Sequence, residues 1–229
     1  MLAVSAEAVL PEVSSSGDIT LDSTEGRIVE SFLDDGVDLV ADVLTLRAKS
    51  GITGLEIAVN SLDAATDGGD IVLSERDGLK EKSLGLDVLA AQTSLASGTT
   101  LVSITAANDL RVGDEDRVAA QNAITGNTIR PESTLASVLV TASATGDTLG
   151  YDKGVAFVAK DVVSLYRFFD AEDLMEYRAG NYFLFNNASR LFPSDMSAKT
   201  LIIETGGTLS LRGVTLQASE RRNSWPART

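Results

Sequence analysis

The sequence predicts an all-β protein built as a right-handed parallel β-helix, or β-solenoid. Three observations point there. Short runs alternate apolar and polar residues at the two-residue period of a strand with one buried face. The segment Gly17-Asp18-Ile19-Thr20-Leu21 returns as Gly69-Asp70-Ile71-Val72-Leu73. Strand-like runs begin near Leu39, Leu55, Ile71, Leu86 and Leu101, at intervals of about 15 or 16 residues. That interval is longer than a tight hairpin repeat and much shorter than a strand–helix–strand unit. A solenoid coil uses about 20 residues or more, with one strand on each side.

Residues 1–14 read as an irregular N-terminal segment. MLAVSAEAVLPEV lacks a positive n-region and has too short an apolar core for a signal peptide. The repeat region is expected over residues 15–219. In it Leu55, Ile57 and Val59 fall on one side of a strand, with Glu56, Ala58 and Asn60 on the other. Val102, Ile104 and Ala106 share a face opposite Ser103 and Thr105, and Val138, Val140 and Ala142 repeat the pattern. Leu209 and Leu211 alternate with Ser210 and Arg212, then Val214 and Leu216 with Thr215 and Gln217.

A coil with a few inward Val, Ile, Leu and Ala side chains cannot bury them alone, whereas stacked coils bury a continuous strip. Small Ala41, Ala48, Ala106 and Ala142 suit a narrow interior. Asn60, Asn108 and Asn127 read as turn residues, with stacked amides as the alternative.

Residues 150–196 are a less regular, aromatic-rich segment. It contains Tyr151, Phe157, Tyr166, Phe168, Phe169, Tyr177, Tyr182, Phe183, Phe185 and Phe192. Two strands, Val162-Val163-Ser164-Leu165-Tyr166 and Tyr182-Phe183-Leu184-Phe185, are expected here. The alternative is a helix capped by Asp170-Ala171-Glu172-Asp173 and ending near Gly180, with Leu174, Met175 and Tyr177 partly buried. The aromatics fit a wider, well-packed coil, or a binding platform for sugars or a partner. Residues 220–229 break the pattern and read as a disordered or non-native tail.

Composition bounds the chemistry. Among 229 residues, 33 acidic and 19 basic side chains leave a net charge of −14, which repels phosphate backbones and anionic lipid headgroups. Nucleic acid is therefore not an expected partner. No apolar run approaches the roughly 18 residues needed to cross a bilayer, so membrane insertion is not expected. With no Cys and no His, disulfides, thiolate chemistry, His acid–base catalysis and the usual zinc ligand sets are excluded.

Candidate sites are few. Asp63, Asp67 and Gly68 faintly resemble a calcium loop, but Ala65 stands at the third position and Ser74 at the twelfth, where a bidentate Glu is required. Asp67-Gly68-Gly69-Asp70 is a single copy of a glycine-rich turn and reads as a surface turn. Asp34-Asp35 and Asp114-Glu115-Asp116 are the densest acidic groups. Carboxylates hydrolyse glycosides when about 5 to 9.5 Å apart across a sugar, and adjacent loop residues do not establish that separation. Lys80, Lys82 and Arg111 are the nominees for a lyase base, with nothing to single one out. There is no GxGxxG, P-loop or GxSxG motif. No catalytic residue, cofactor or metal site is assigned.

The runs Ser16–Ile28, Leu44-Thr45-Leu46-Arg47-Ala48-Lys49-Ser50-Gly51-Ile52 and Gly69–Leu73 resemble the repeats of filamentous-haemagglutinin-type adhesins. Those are very large secreted bacterial proteins with degenerate coils. The resemblance covers residues 15–150 and 199–219. It implies a right-handed β-helical shaft, export across the outer membrane and adhesion to surfaces or other cells, and it carries over no functional residue. The chain departs from that family in lacking its N-terminal secretion domain and signal, so Met1 is expected to begin a piece of a longer parent protein.

The expected function is thus a non-catalytic structural or adhesive segment of a large extracellular repeat protein. Its partners would be flanking β-helix coils and a host or cell-surface protein or carbohydrate. A polysaccharide-degrading β-helix enzyme (lyase or glycosidase) and a tandem β-sandwich binding module are the rivals. The last would need tight hairpin turns, for which Asp67-Gly68 and Asp77-Gly78 are the candidates.

Overall fold

A computed structural model describes residues 2–4, 8–10, 12–30, 36–76, 85–113, 123–140, 149–151, 153–165, 172, 174–185, 194–211 and 214–218. Among them the protein is nearly all β. The only helical piece among the described residues is one 3-10 turn, Leu95–Ser97. Twenty-one strands join one large sheet, curled into a nearly closed, barrel-like shape, and Ser194–Ala198 pairs separately with Val214–Ala218. Every strand pairing among the described residues is parallel. Tandem β-sandwiches need antiparallel hairpins, so that rival is set aside.

The pairings resolve into three ladders. The first runs from Leu2–Val4 through Ile19–Ser23, residues 44–48, 61–66 and 90–92, and Ile124–Thr125 to Leu149–Gly150. The second is unbroken from Ala8–Leu10 through Ile28–Glu30, residues 52–57, Ile71–Glu75, Leu101–Ala106, Thr128–Ser133, Gly154–Ala159 and Leu174–Ala179 to Thr200–Thr205. The third runs from Val13–Ser14 through residues 39–43, 57–61 and 85–88, then Asp109–Val112, Val138–Val140, Val162–Leu165 and Tyr182–Phe185, to Thr208–Ser210.

The chain therefore returns to the same ladder once per circuit. A circuit takes 19 residues from Ile52 to Ile71 and 31 from Ile71 to Val102. The interval of 15 or 16 residues in the sequence is not the circuit length. Leu39 and Leu86 lie in the third ladder, while Leu55, Ile71 and Leu101 lie in the second, so the interval mixes steps between different sides.

Register stacks like on like in the interior. In the first ladder Leu21, Leu46, Ala64, Ala91, Ile124 and Leu149 form one buried column. In the second, Ile28, Ile52, Ile71, Val102, Ile129, Val155 and Met175 do the same. In the third the column is Leu86, Leu110, Val138, Val163 and Phe183. Each fully buried Val, Leu, Ile, Met or Phe among them contributes roughly 1.5–3 kcal/mol of transfer free energy. These columns explain the alternation: only the inner face is covered, so every second residue is free to be polar.

The aromatic segment belongs to the same interior. Phe157 and Tyr177 stack with centroids 5.8 Å apart, and Tyr177 meets Phe183 at 5.3 Å. All three are buried, as a wider packed layer requires. Burial pushes the Tyr177 hydroxyl well up, with Tyr151 beside it adding to the effect. Val162–Leu165 and Tyr182–Phe185 are strands, and so is Leu174–Ala179, which rules out a helix running to Gly180. Strands Leu2–Val4, Ala8–Leu10 and Val13–Ser14 extend the ladders into residues 1–14, a stretch expected to be irregular. Their backbone groups find partners in strands about a circuit further on, information that no local pattern carries.

Turns are tightened by glycine where chains cross closely. Gly69 has φ +85°, and a Cβ there would collide with the Ser50 carbonyl. The preceding Thr66 hydroxyl bonds that of Thr93 at 3.0 Å, which in turn donates to the Gly69 carbonyl at 2.8 Å. Among the described residues, no helix is long and apolar enough to cross a membrane.

Candidate functional site

Among the described residues one cluster of carboxylates brings together Glu30, Asp38 and Glu56, with one oxygen of each within 4.8 Å of the others. Three successive passes of the chain supply them. Glu30 ends the strand Ile28–Glu30, Asp38 immediately precedes Leu39–Ala48, and Glu56 lies within Ile52–Thr66. Asp38 and Glu56 are locked reciprocally: Asp38 N–H donates to the Glu56 carbonyl at 2.7 Å, and Glu56 N–H donates to Asp38 Oδ2 at 2.9 Å. A register shift between Thr53 and Leu55 centres on Gly54, whose φ is +78°. The absence of a side chain there leaves room beside the Glu30 carboxylate.

The electrostatics of this cluster are unfavourable as it stands. The Glu56 side chain is 17% exposed, and its Oε2 is buried without a hydrogen-bond partner. Desolvation pushes the Glu56 carboxyl above its usual range, and Glu30 and Asp38 push the same way. Arg76, 3.8 Å from Glu56 Oε1, opposes them. Such a group can hold a proton or share a divalent cation. As three ligands giving one oxygen each, they fall short of the six to eight oxygens that calcium takes.

A shallow surface groove lies across the circuits, lined by Asp22, Thr24, Arg47, Lys49, Ala65 and Asp67. Its two cations are engaged. Arg47 pairs with Asp63 at 2.7 Å and also donates to the Asp63 carbonyl, and Lys49 pairs with Glu25 at 3.0 Å. The hydrogen bond to Glu25 raises the Lys49 pKa and so favours the ammonium, which cannot act as a base.

The residues nominated from the sequence do not converge. Asp63 is a strand residue turned to Arg47, Ala65 and Ser74 are strand residues, and Asp67 and Gly68 lie in the turn between two strands. Asp70 accepts the Leu101 N–H at 2.9 Å, tying the Gly69-Asp70 turn to the following circuit. Arg111 pairs with Asp87 at 2.5 Å across the third ladder. Asp34, Asp35, Asp77, Gly78, Lys80, Lys82, Asp114, Glu115, Asp116, Ala142, Tyr166, Phe168, Phe169, Asp170, Ala171, Asp173 and Phe192 lie outside the described residues, as do residues 220–229.

Of the three asparagines, Asn127 stands out. It is fully buried at a corner, accepts from the Thr100 N–H at 2.9 Å and hydroxyl at 2.8 Å, and donates to the Leu95 carbonyl at 2.9 Å. It is a corner clamp rather than a member of an amide stack. Asn60 sits in a strand and donates to Asp42 Oδ1 at 2.7 Å. Glu75, buried at the C-terminal end of its strand, accepts the Ala107 N–H at its backbone carbonyl at 3.0 Å and at its Oε2 at 3.3 Å. Neither Glu75 nor the acidic trio was visible in sequence spacing, because strand register alone brings the participants together.

No family model matches the chain, no curated protein matches it, and no solved structure matches it.

Proposed function

We propose that the chain is a right-handed β-solenoid segment acting as a non-catalytic structural and adhesive shaft of a large extracellular bacterial repeat protein. One observation carries the reading: a single parallel ladder continues without interruption from Ala8–Leu10 to Thr200–Thr205. Parallel sheets normally need helices over both faces. Here alternating strands bury one face against the sheet's own interior, which is how stacked coils solve the problem without helices. The resemblance of the Ser16–Ile28, Leu44–Ile52 and Gly69–Leu73 runs to haemagglutinin-type repeats supports adhesion and an extracellular setting. The enzyme alternative gains nothing from the groove, whose Arg47 and Lys49 are bound to carboxylates.

Two measurements test the reading. A crystal structure in which the chain winds left-handed, or pairs strands antiparallel, sinks the solenoid. Beads coated with the folded chain should attach to cultured epithelial cells or to immobilised glycans. Attachment no greater than that of albumin-coated beads removes the adhesive part.

A further inference from the structure

The turn between Ile52–Thr66 and Ile71–Glu75 carries an Asp67-Gly68 pair whose surroundings set it apart. Of the aspartates among the described residues, Asp67 alone is followed by glycine. Asp67 is exposed, and its carboxylate takes no hydrogen bond from a described residue; it acts on Lys49 through charge alone. The neighbouring carboxylates are held, Asp63 by Arg47 and Asp70 by the Leu101 N–H at 2.9 Å. The Gly68 N–H likewise donates to no described residue. Gly68 lies outside the left-handed region, and nothing stands within 4 Å of where its Cβ would be, so the outer side of the turn is open. The flanks, by contrast, are pinned to neighbouring circuits. Asp67 N–H donates to the Ala48 carbonyl at 3.2 Å, the Thr93 hydroxyl to the Gly69 carbonyl at 2.8 Å, and Ile52 N–H to the Asp70 carbonyl at 2.9 Å.

We infer that Asp67-Gly68 is a self-modification site, where the folded chain converts Asp67 to isoaspartate. The Gly68 amide nitrogen attacks the Asp67 carboxyl carbon. A C–N bond forms, the C–O bond to the departing hydroxyl breaks, and the amide proton leaves with that hydroxyl as water, closing a succinimide ring. Water then opens the ring. Attack at the carbonyl that came from the side chain restores Asp67, while attack at the main-chain carbonyl routes the backbone through the side-chain methylene. One water is lost and one regained, so no oxidant, reductant or enzyme is needed. Glycine is the residue that permits the attack, because it has no side chain to crowd its nitrogen and the widest backbone freedom to bring that nitrogen round. The product inserts one extra carbon into the main chain. With both flanks pinned, that carbon bulges outward into the open space beside Gly68, and the crossing of Gly69 with Ser50 stays as it is. The fold therefore exposes the reacting pair and accommodates its product.

The test incubates the full folded chain in mildly acidic buffer made with heavy-oxygen water, while circular dichroism tracks strand content. Isoaspartate is read by enzymatic methyl transfer and placed by fragment-ion mass spectrometry. It should accumulate at residue 67, with one heavy oxygen taken up for each ring opened. Asp70, followed by branched Ile71 and held by Leu101, should remain ordinary aspartate over the same time. Gly68→Ala fits the open space without strain and should slow the conversion severalfold or more. Asp67→Glu, which would have to close a larger ring, should abolish it. No isoaspartate at residue 67 in the folded chain overturns the proposal, whether or not the urea-unfolded chain forms it. Equal accumulation at Asp70 overturns it too, as does indifference to Gly68→Ala. Loss of strand content in step with the product overturns the accommodation of the extra carbon. Should strand content fall before any product forms, the incubation moves to neutral pH under the same criteria.

Discussion

Leu110 and Leu209 offer a controlled comparison, because both occupy the inward column of the third ladder and one lies mid-stack while the other lies in the last circuit. Leu110→Ala removes three buried carbons between Leu86 and Val138, its fully buried register neighbours. Backbone hydrogen bonds to the strands on both sides hold those neighbours in place, so the cavity cannot collapse. Buried Leu→Ala changes cost about 2–5 kcal/mol, rising with the cavity that remains. The upper half of that range, about 3.5–5 kcal/mol, is expected here. Leu209→Ala removes the same atoms from a side chain already 45% exposed. It forfeits roughly half of a Leu transfer free energy with no sealed cavity, about 1 kcal/mol. The assay is urea unfolding of each monomer, followed by circular dichroism at low protein concentration. In a stack where circuits touch only their neighbours, Leu110→Ala should also broaden the transition or split it, since it weakens the coupling between two halves. Costs within about 0.5 kcal/mol of each other would refute the reasoning.

Four further outcomes follow from the same structure. Glu56→Gln should raise the unfolding midpoint at neutral pH and leave it unchanged near pH 4. The folded state holds the Glu56 proton more tightly than the unfolded chain. Stability linked to that proton is fully present below the unfolded pKa and lost as pH rises through the folded one, so a pH-independent difference would count against the cluster. Gly69→Ala should cost more than about 1 kcal/mol, because φ is positive and a Cβ meets the Ser50 carbonyl; a neutral thermal midpoint would contradict the close crossing. Asn127→Ala leaves the buried Thr100 N–H without its acceptor and should cost about 1–3 kcal/mol. Hydrogen exchange of the Thr100 amide should accelerate with it. Arg47→Ala should cost at most about 1 kcal/mol despite the 2.7 Å pair with Asp63, since the Arg47 side chain is 40% exposed, and a larger loss would show that the groove depends on Arg47.

How far the fold was legible depended on which interactions are local. Val102, Ile104 and Ala106 declared a strand because a half-covered sheet forces apolar residues onto every second position. Leu174–Ala179 did not, since Leu174, Met175 and Tyr177 also fit one face of a helix, and pairing with residues 154–159 and 200–205 decides the matter. The repeated Gly-Asp-Ile motif marked two true strands, yet Ile19 opens one in the first ladder and Ile71 one in the second. It therefore encodes a turn followed by an inward Ile, not a fixed side of the circuit. The acidic trio was unreadable for a related reason. Residues 30, 38 and 56 share no motif spacing, and they meet only because the circuits between them have particular lengths.

The uneven circuits have a mechanical consequence. When the stack is pulled across the strands, the load falls on the hydrogen bonds of all three ladders, and a circuit with a ladder partner on one side only peels before one held on both. Each peeled circuit pays out its whole contour, roughly 60 Å for the 19 residues from Ile52 to Ile71 and about 110 Å for the 31 from Ile71 to Val102. Against a stacking rise of about 4.8 Å, every step lengthens the tether more than tenfold relative to the height it gives up. Such a chain under tension behaves as a ratcheted spool, with step sizes written into its circuit lengths.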